Sequence, residues 1–465
     1  MGGREDFKKT AKILAERFRE SDKNVVKIVS NLDTDGITAA AILVAAFRRE
    51  GIKFSLSLVK QLSRNVLSVL SKEPYEIIVF ADLGSSVVTN IKKYLPGRKI
   101  FILDHHIVEC EDKEIYQLNQ HLFGLNEYNE ISASGVCYFF AKELNKKNIE
   151  LAHIAFIGAV GDVQEYKGVR GLNKEILDDA VSLGKIEIKT GLRMFGYQTK
   201  PVHKVLEYCT DPYIPGVSGD ESGAVMFLED CGIQAKNGEE WRKLVDLNDD
   251  EVKKLITGII LRRIGSEDKP EDVLGPIYTL KDEEEGSTKD VKEYATLLNS
   301  CARLGKSAIG IGTVLGNKNA KEKALVLIEE YKKMIINGLN WFYDNRKSEN
   351  IFEGDGFVII NAGENIKDTI IGVIGSIISR AGIYNEGTII ISIAKNLEGD
   401  LKSSIRVAGL KVNEELNLRD VLTDVVKGLD AEVGGHKLAA GSLVSINKER
   451  EFIDNIKVVL GNRKV

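Results

Sequence analysis

Cysteine, histidine and proline are scarce in this chain of 465 residues, at five, six and seven. The cysteines (Cys110, Cys137, Cys209, Cys231 and Cys301) are odd in number and form no C-x-x-C pair. That pattern excludes a disulfide scaffold and a zinc knuckle, and fits free thiols in a reducing cytoplasm. Long apolar runs are missing too: none approaches the roughly 18 residues of a membrane span. The longest, over 37–47, is broken by Thr38 and followed by two arginines. The first residues carry no apolar signal core, so export is not expected. Nor is there an excess of one charge: 64 Lys and Arg stand against 69 Asp and Glu, a net charge of −5. A chain that coats duplex DNA by bulk charge would be basic, so any nucleic-acid contact has to come from a local groove. What is abundant is apolar material, 43% of residues. It excludes a largely disordered polymer, and the length corresponds to two or three domains.

Hydrophobic periodicity divides the chain into three stretches. Over 1–190 strands alternate with helices: a helix over 6–19, then strands near 25–30, 54–59, 77–81 and 99–103, with helices over 37–49, 61–71 and 87–94 between them. Near-continuous apolar strands in β-α repeats indicate a parallel sheet covered on both faces, with ligands expected beyond the carboxyl ends of its strands. Residues 195–345 hold five of the seven prolines and acidic loop-like patches, and read as a mostly helical insertion or linker module. Residues 350–465 return to α/β, with a helix expected over 416–429 and a glycine-rich segment over 433–441.

The chemistry sits where acids and histidines meet strand ends. Asn31, Asp33 and Asp35 follow the first strand. In an extended segment the three project to one side, and Gly36 permits a tight turn into the helix. Asp82 ends the third strand, Asp104, His105 and His106 end the fourth, and Asp162 closes an apolar stretch over 154–163. Several carboxylates and two imidazoles cannot share one crevice without cations. A mixed carboxylate–imidazole set suits Mn2+ or a similar ion, whereas an all-oxygen set would suit Mg2+ better. Two such ions about 3.5–4 Å apart clamp a phosphate for in-line attack. Taken singly, each Asp reads as well as a helix cap or turn residue, and a lone His-His pair more readily as an ordinary loop. The joint pattern of three acid-bearing strand ends carries the weight. His121 and His436 lie near these marked segments; His153 and His203 read as structural. Gly434 and Gly435 read either as a hairpin or helix-entry turn, or as backbone N–H groups open to a phosphate with His436 and Lys437 adding donors. The residues alone leave both open.

These motifs resemble those of the DHH phosphoesterase superfamily, and the run over 434–441 resembles the nucleic-acid-binding motif of the associated DHHA1 domain. Together they look like RecJ-type single-strand exonucleases, most closely the archaeal RecJ-like, GINS-associated type. Supporting stretches are 132–135, 295–303 and 371–380. The resemblance implies a parallel-sheet DHH domain over 1–190, a middle module over 195–345 and a smaller α/β DHHA1 domain over 350–465. It implies Asp33, Asp35, Asp82, His105 and Asp162 as ligands of two Mn2+ ions, with Mg2+ or Co2+ as substitutes and Asp82 bridging. His106 would then meet the scissile phosphate or the leaving group. Asn31 and Asp104 stand beside this set as weak ligands or supports. Arg406, Gly434, Gly435, His436 and Lys437 would hold the strand. Asn31 stands where many relatives carry His or Asp, and Val433 where many carry a third glycine.

The function implied is a Mn2+-dependent, cytoplasmic exonuclease of replication or repair. It would act 5′→3′ on single-stranded DNA, with short RNA as a further substrate, with GINS as a partner and no membrane. Two rivals stay open: a phosphatase of the same superfamily acting on oligonucleotides or small phosphates, and a replisome scaffold. The length of the middle module counts against the first, the nearly intact ligand set against the second.

Overall fold

The computed structural model describes residues 2–21, 25–166, 168–267, 269–409, 416–429 and 431–462. Phe7, Ala11, Leu14 and Phe18, at helical spacing, form the buried stripe of α1 (Gly2–Arg19). Five β-strands follow: β1 (Val26–Asn31), β2 (Phe54–Val59), β3 (Ile77–Ala81), β4 (Lys99–Leu103) and β5 (Ile115–Leu118). Interleaved with the first four are α2 (Thr34–Arg49), α3 (Arg64–Ser71) and α4 (Val88–Tyr94). All five strands are parallel, in the order β2-β1-β3-β4-β5. β5 was not expected; with only four residues it is too short to show a period of its own.

Side chains of β3 alternate between two cores, which is why its sequence reads as unbroken apolar. Ile77, Val79 and Ala81 join the core formed with α1 and α2. Ile78 and Phe80 join the core under α3 and α4. The first core continues into α5 (Ala133–Leu144), α6 (Ala152–Gly161) and α7 (Gly171–Ser182). The apolar stretch ending at Asp162 is therefore the helix α6, and Asp162 is its C-cap residue; its length and small residues suit a helix buried all round.

Beyond α7, β6 (Ile186–Leu192) leads to α8 (Val202–Glu207), α9 (Glu221–Asp230), a short ribbon of β7 (Lys236–Asn237) and β8 (Glu240–Trp241), and α10 (Asp249–Arg263). β9 (Leu274–Leu280) returns antiparallel to β6 and closes this excursion around its own small core. α11 (Val291–Arg303) and α12 (Ser307–Val314) pack back on α2.

The chain divides into two compact units, Met1–Ile328 and Glu329–Val465, with the division falling inside α13 (Lys318–Asn345). The second unit contains β10 (Ile351–Gly354), β11 (Phe357–Asn361), α14 (Asp368–Arg380), β12 (Ile389–Lys395), β13 (Asp400–Val407), α15 (Leu418–Val425), β14 (Glu432–His436), β15 (Ala439–Ser445) and α16 (Glu449–Gly461). Its sheet runs β10-β11-β12-β13-β15-β14, and only β11 and β12 pair in parallel. The helix expected over 416–429 is shorter, with Asn417 accepting from the Arg419 N–H as its N-cap. Among the described residues no helix is long and apolar enough to cross a membrane.

Candidate metal centre

Register brings the acids to one level. Ser30 lies opposite Ala81, and Ala81 opposite Leu103. The next residues, Asn31, Asp82 and Asp104, thus leave three adjacent strands together. The three marked strands are not consecutive in the chain; β2 intervenes and sits outside them at the sheet edge.

After β1 the backbone does not stay extended, as the spacing of Asn31, Asp33 and Asp35 had suggested. α2 starts at Thr34, with Asp33 as its N-cap accepting from the Gly36 N–H at 3.0 Å. Asp35 is therefore helical. Gly36 is required for closeness: a Cβ there would lie 2.3 Å from the Asn31 carbonyl oxygen. Asn31 Oδ1 accepts from the Leu32 N–H at 2.7 Å, a turn contact.

Asp35 points at the first turn of α5 and accepts from the N–H groups of Ala133, at 2.7 Å, and Ser134, at 2.9 Å. A helix N-terminus favours a carboxylate. Gly158 of α6 leaves the room, since a Cβ there would come within 2.7 Å of Asp35 Oδ1. These partners explain the stretch 132–135, to which the sequence assigned no role.

Asp82 is held very differently. Its backbone is left-handed, φ 58°, an unfavourable conformation for a residue with a side chain. It is 2% exposed, and its Oδ1 has no hydrogen-bond partner among the described atoms. Burial, followed by the charges of Asp33 and Asp35, pushes its carboxyl well above the usual range. An orphaned buried carboxylate oxygen is costly unless a cation takes it.

Asp104 is a support rather than a member of the donor groups. Its Oδ1 accepts from the N–H groups of His105, at 2.8 Å, and His106, at 3.3 Å, and lies 2.8 Å from His106 Nδ1; its Oδ2 accepts from the Ser85 N–H. Burial opposes the charge of both partners. The charge of His106 and its hydrogen bond nevertheless hold the Asp104 carboxyl low. On the other side, Asp104 outweighs the burial of His106 and raises that imidazole to about 9. His105 is held below its ordinary value by burial and by the neighbouring His106. Its Nε2 lies 3.6 Å from Asp82 Oδ1, 3.9 Å from Asp162 Oδ2 and 4.0 Å from Asp35 Oδ2. Asp162 is pushed up to about 8 by burial and by Asp35, despite a 2.8 Å hydrogen bond from Gln164.

Two donor groups result, Asp82–His105–His106 and Asp35–His105–Asp162, each with ligand atoms within 4.8 Å of one another. The mixed N/O donors and the orphaned Asp82 oxygen fit divalent cations. Asp33 and Asn31 belong to neither group. Residues to which the sequence reading gave no role complete the surroundings. Gln164 also reaches His105 Nδ1 at 3.3 Å. From α11, Asn299 accepts from the Thr34 N–H and the Ala295 carbonyl from the Thr34 hydroxyl. The charge of Arg303, an exposed residue, bears on Asp33. His121 bonds Asn126, and His203 is buried against Trp241.

In the second unit Gly434 and Gly435 lie in β14, the edge strand of a hairpin with β15, and not in a helix-entry turn. Gly435 has φ 118°, and a Cβ there would lie 2.4 Å from the Ala439 carbonyl oxygen; at Gly434 it would meet nothing. Lys437 occupies the turn, its carbonyl accepting from the Leu418 N–H. Arg406 Nε donates to Ser376 Oγ at 2.8 Å. The backbone of His436 pairs with Ala439; its side chain lies outside the described residues.

Residues 25–159 match the DHH family, N-terminal domain, and residues 194–274 match the DHH-CID domain. A curated protein of Methanocaldococcus jannaschii, described as uncharacterized, is 31% identical over 466 residues, covering 98% of each chain. CDC45 from Entamoeba histolytica superposes with a TM-score of 0.67 at 14% identity, covering 99% of this chain and 100% of that one. RecJ from Thermus thermophilus, solved in complex with Mn2+, superposes with a TM-score of 0.59 at 14% identity, covering 98% of this chain and 55% of that one. The chain thus spans about half the length of that RecJ, and likeness at this identity is one of fold.

Proposed function

We infer a phosphoesterase activity for this chain, which belongs to the DHH family. We propose a metal-dependent phosphodiesterase that shortens single-stranded nucleic acid, DNA 5′→3′ and also short RNA, in replication or repair. The observation that carries it is Asp82. Strained backbone, burial and an unpartnered oxygen are kept together at the point where two imidazoles and two further carboxylates converge. A sheet needs none of this for its stability.

In this reading Asp35, Asp82, His105 and Asp162 would hold two divalent cations, Mn2+ preferred and Mg2+ or Co2+ as substitutes, with His105 common to both donor groups and Asp33 nearby. When bound, the ions supply charge to the phosphate and acidify a water. The chain does the rest. Asp35 is fixed by the α5 amides. Asp104, 2.8 Å from His106 Nδ1, orients that imidazole, which would serve the scissile phosphate or the leaving oxygen. Arg303 adds a cation for the phosphate chain. Arg406, Gly434, Gly435, His436 and Lys437 take the strand's backbone. We assign 1–190 to the catalytic domain, 195–345 to a middle module and 350–465 to a strand-holding domain, with GINS as a partner in the cytoplasm. The full-length match to CDC45 supports a second reading as a replisome scaffold.

Incubation with Mn2+ and 5′- or 3′-labelled DNA and RNA strands separates the two. A ladder abolished by chelation supports the nuclease; intact strands with every divalent ion leave the scaffold.

A further inference from the structure

Asp162 and His105 share one further neighbour, Gln164. Its Nε2 donates to Asp162 Oδ2 at 2.8 Å and lies 3.3 Å from His105 Nδ1. A side-chain amide has a donor end and an acceptor end, and the end that faces an imidazole decides what that ring can do. Here the orientation is set from behind. Gln164 Oε1 accepts from Asn173 Nδ2 at 2.6 Å. Asn173 in turn cannot be reversed: its Oδ1 accepts from the Ser132 N–H at 3.3 Å, and its Nδ2 also donates to the Asn129 carbonyl at 3.3 Å. Turned round, it would set N–H against N–H and oxygen against oxygen. Gln164 and Asn173 are each 1% exposed, so bulk water cannot make good such a loss.

A donor facing Nδ1 requires that nitrogen to be an acceptor, so the ring proton of His105 sits on Nε2. Nε2 is the nitrogen turned toward Asp35, Asp82 and Asp162. An imidazole that binds an ion through that nitrogen has to carry its proton on Nδ1 and donate it to an acceptor. Gln164 presents a donor there instead. We infer that Gln164, held by Asn173, withholds the His105 nitrogen from the cluster and so narrows its preference for nitrogen-seeking ions such as Mn2+ over oxygen-seeking Mg2+. This rests on the metal-dependent reading above and names a residue that tunes it. The three carboxylates are open to either ion. The imidazole joins them only when its proton leaves Nε2, a proton is taken up at Nδ1, and the Gln164 amide gives way; the ring stays neutral throughout the exchange.

Two measurements on the full chain, freed of metal, test this. In 15N NMR of histidine-labelled protein, with the His105 signals identified by their loss in His105→Asn, the wild-type ring proton should be on Nε2. Gln164→Glu keeps the length and the bond from Asn173 but faces His105 with an acceptor, and should move the proton to Nδ1. Asn173→Asp should do the same without touching the cluster, because it turns the Gln164 amide round. Calorimetry then follows Mn2+ and Mg2+. Each variant should tighten Mn2+ about tenfold and Mg2+ less than about twofold. Both variants add a negative charge, which alone would strengthen the two ions alike, so equal gains would overturn the inference. A wild-type ring proton on Nδ1 would overturn it, as would Mn2+ affinity that stays unchanged in the variants. Those failures are seen with ions bound. If neither ion binds wild type or variant, the metal-dependent reading itself falls, and this inference with it.

Discussion

The two units handle polar atoms in opposite ways. The parallel sheet of the first is covered on both faces, so polar chemistry is confined to its strand ends, where it is buried. There Asp35 and Asp104 are saturated with N–H donors while Asp82 is left short. The second unit ends its mostly antiparallel sheet, among the described residues, at the edge strand β14, whose Gly434 and Gly435 bring no side-chain charge. In the proposed reading a stressed carboxylate in one unit and an edge strand in the other are different routes to an anion. The first would call for a cation; the second would use backbone dipoles.

The contrast is tested most severely at Asp82. Asp82→Asn should lower hydrolysis about a thousandfold and at the same time raise the melting temperature of metal-free protein. Relief of repulsion should be worth about 2–4 °C for each kcal/mol recovered. The sign follows from the raised carboxyls. A group whose folded pKa lies above its unfolded value favours the folded state at low pH and loses that contribution as pH rises. Asp82 and Asp162, the latter near 8, should therefore make metal-free wild type melt lower at pH 8 than at pH 5. The variant should flatten that slope. Calorimetry in chelator checks both, and a variant that melts lower than wild type at pH 8 would mean that Asp82 is structural.

In the second unit the loss should fall on affinity alone. Arg406→Ala with Lys437→Ala, in the Asp82→Asn background, should weaken single-strand binding about tenfold at low salt. Mn2+ binding, measured by calorimetry, should be unaltered. If metal affinity falls instead, the division of labour fails.

Within the hairpin two neighbours should differ. Gly435→Ala should cost about 1–3 kcal/mol, because its φ is 118° and the new Cβ meets the Ala439 carbonyl. Gly434→Ala should leave the melting temperature within about 1 °C of wild type. Equal effects would mean that β14 is not held as described.

The smallest expected effect is at Asn31, where Asn31→Asp should tighten the weaker of two Mn2+ sites about threefold and leave the tighter one alone. Two equal sites, insensitive to the substitution, would leave Asn31 with the Leu32 turn contact as its whole role.

Strand ends were legible because apolar runs punctuated by acids leave little else to read. The local setting of the residues there was not. Asp35 looked extended because period 2 and the first turn of a helix cannot be told apart over five residues. Asp162 seemed to end a strand because α6 is apolar all round, which removes helical periodicity. The N–H groups of Ala133 and Ser134, the Gln164 amide and the α11 contacts come from far along the chain, where no spacing rule reaches. Gly434 and Gly435 left hairpin and turn open because glycine permits both.

The common level of Ser30, Ala81 and Leu103 has an evolutionary consequence. Side chains alternate along a strand, so adding or deleting one residue in β3 would turn every following side chain to the other face. It would exchange the cores above and below the sheet at once. Point substitutions at Asp82 or His105 would disturb neither core. In the proposed reading, descendants of this chain can therefore lose chemistry one residue at a time and stay folded, whereas an altered register of the sheet would leave nothing to inherit.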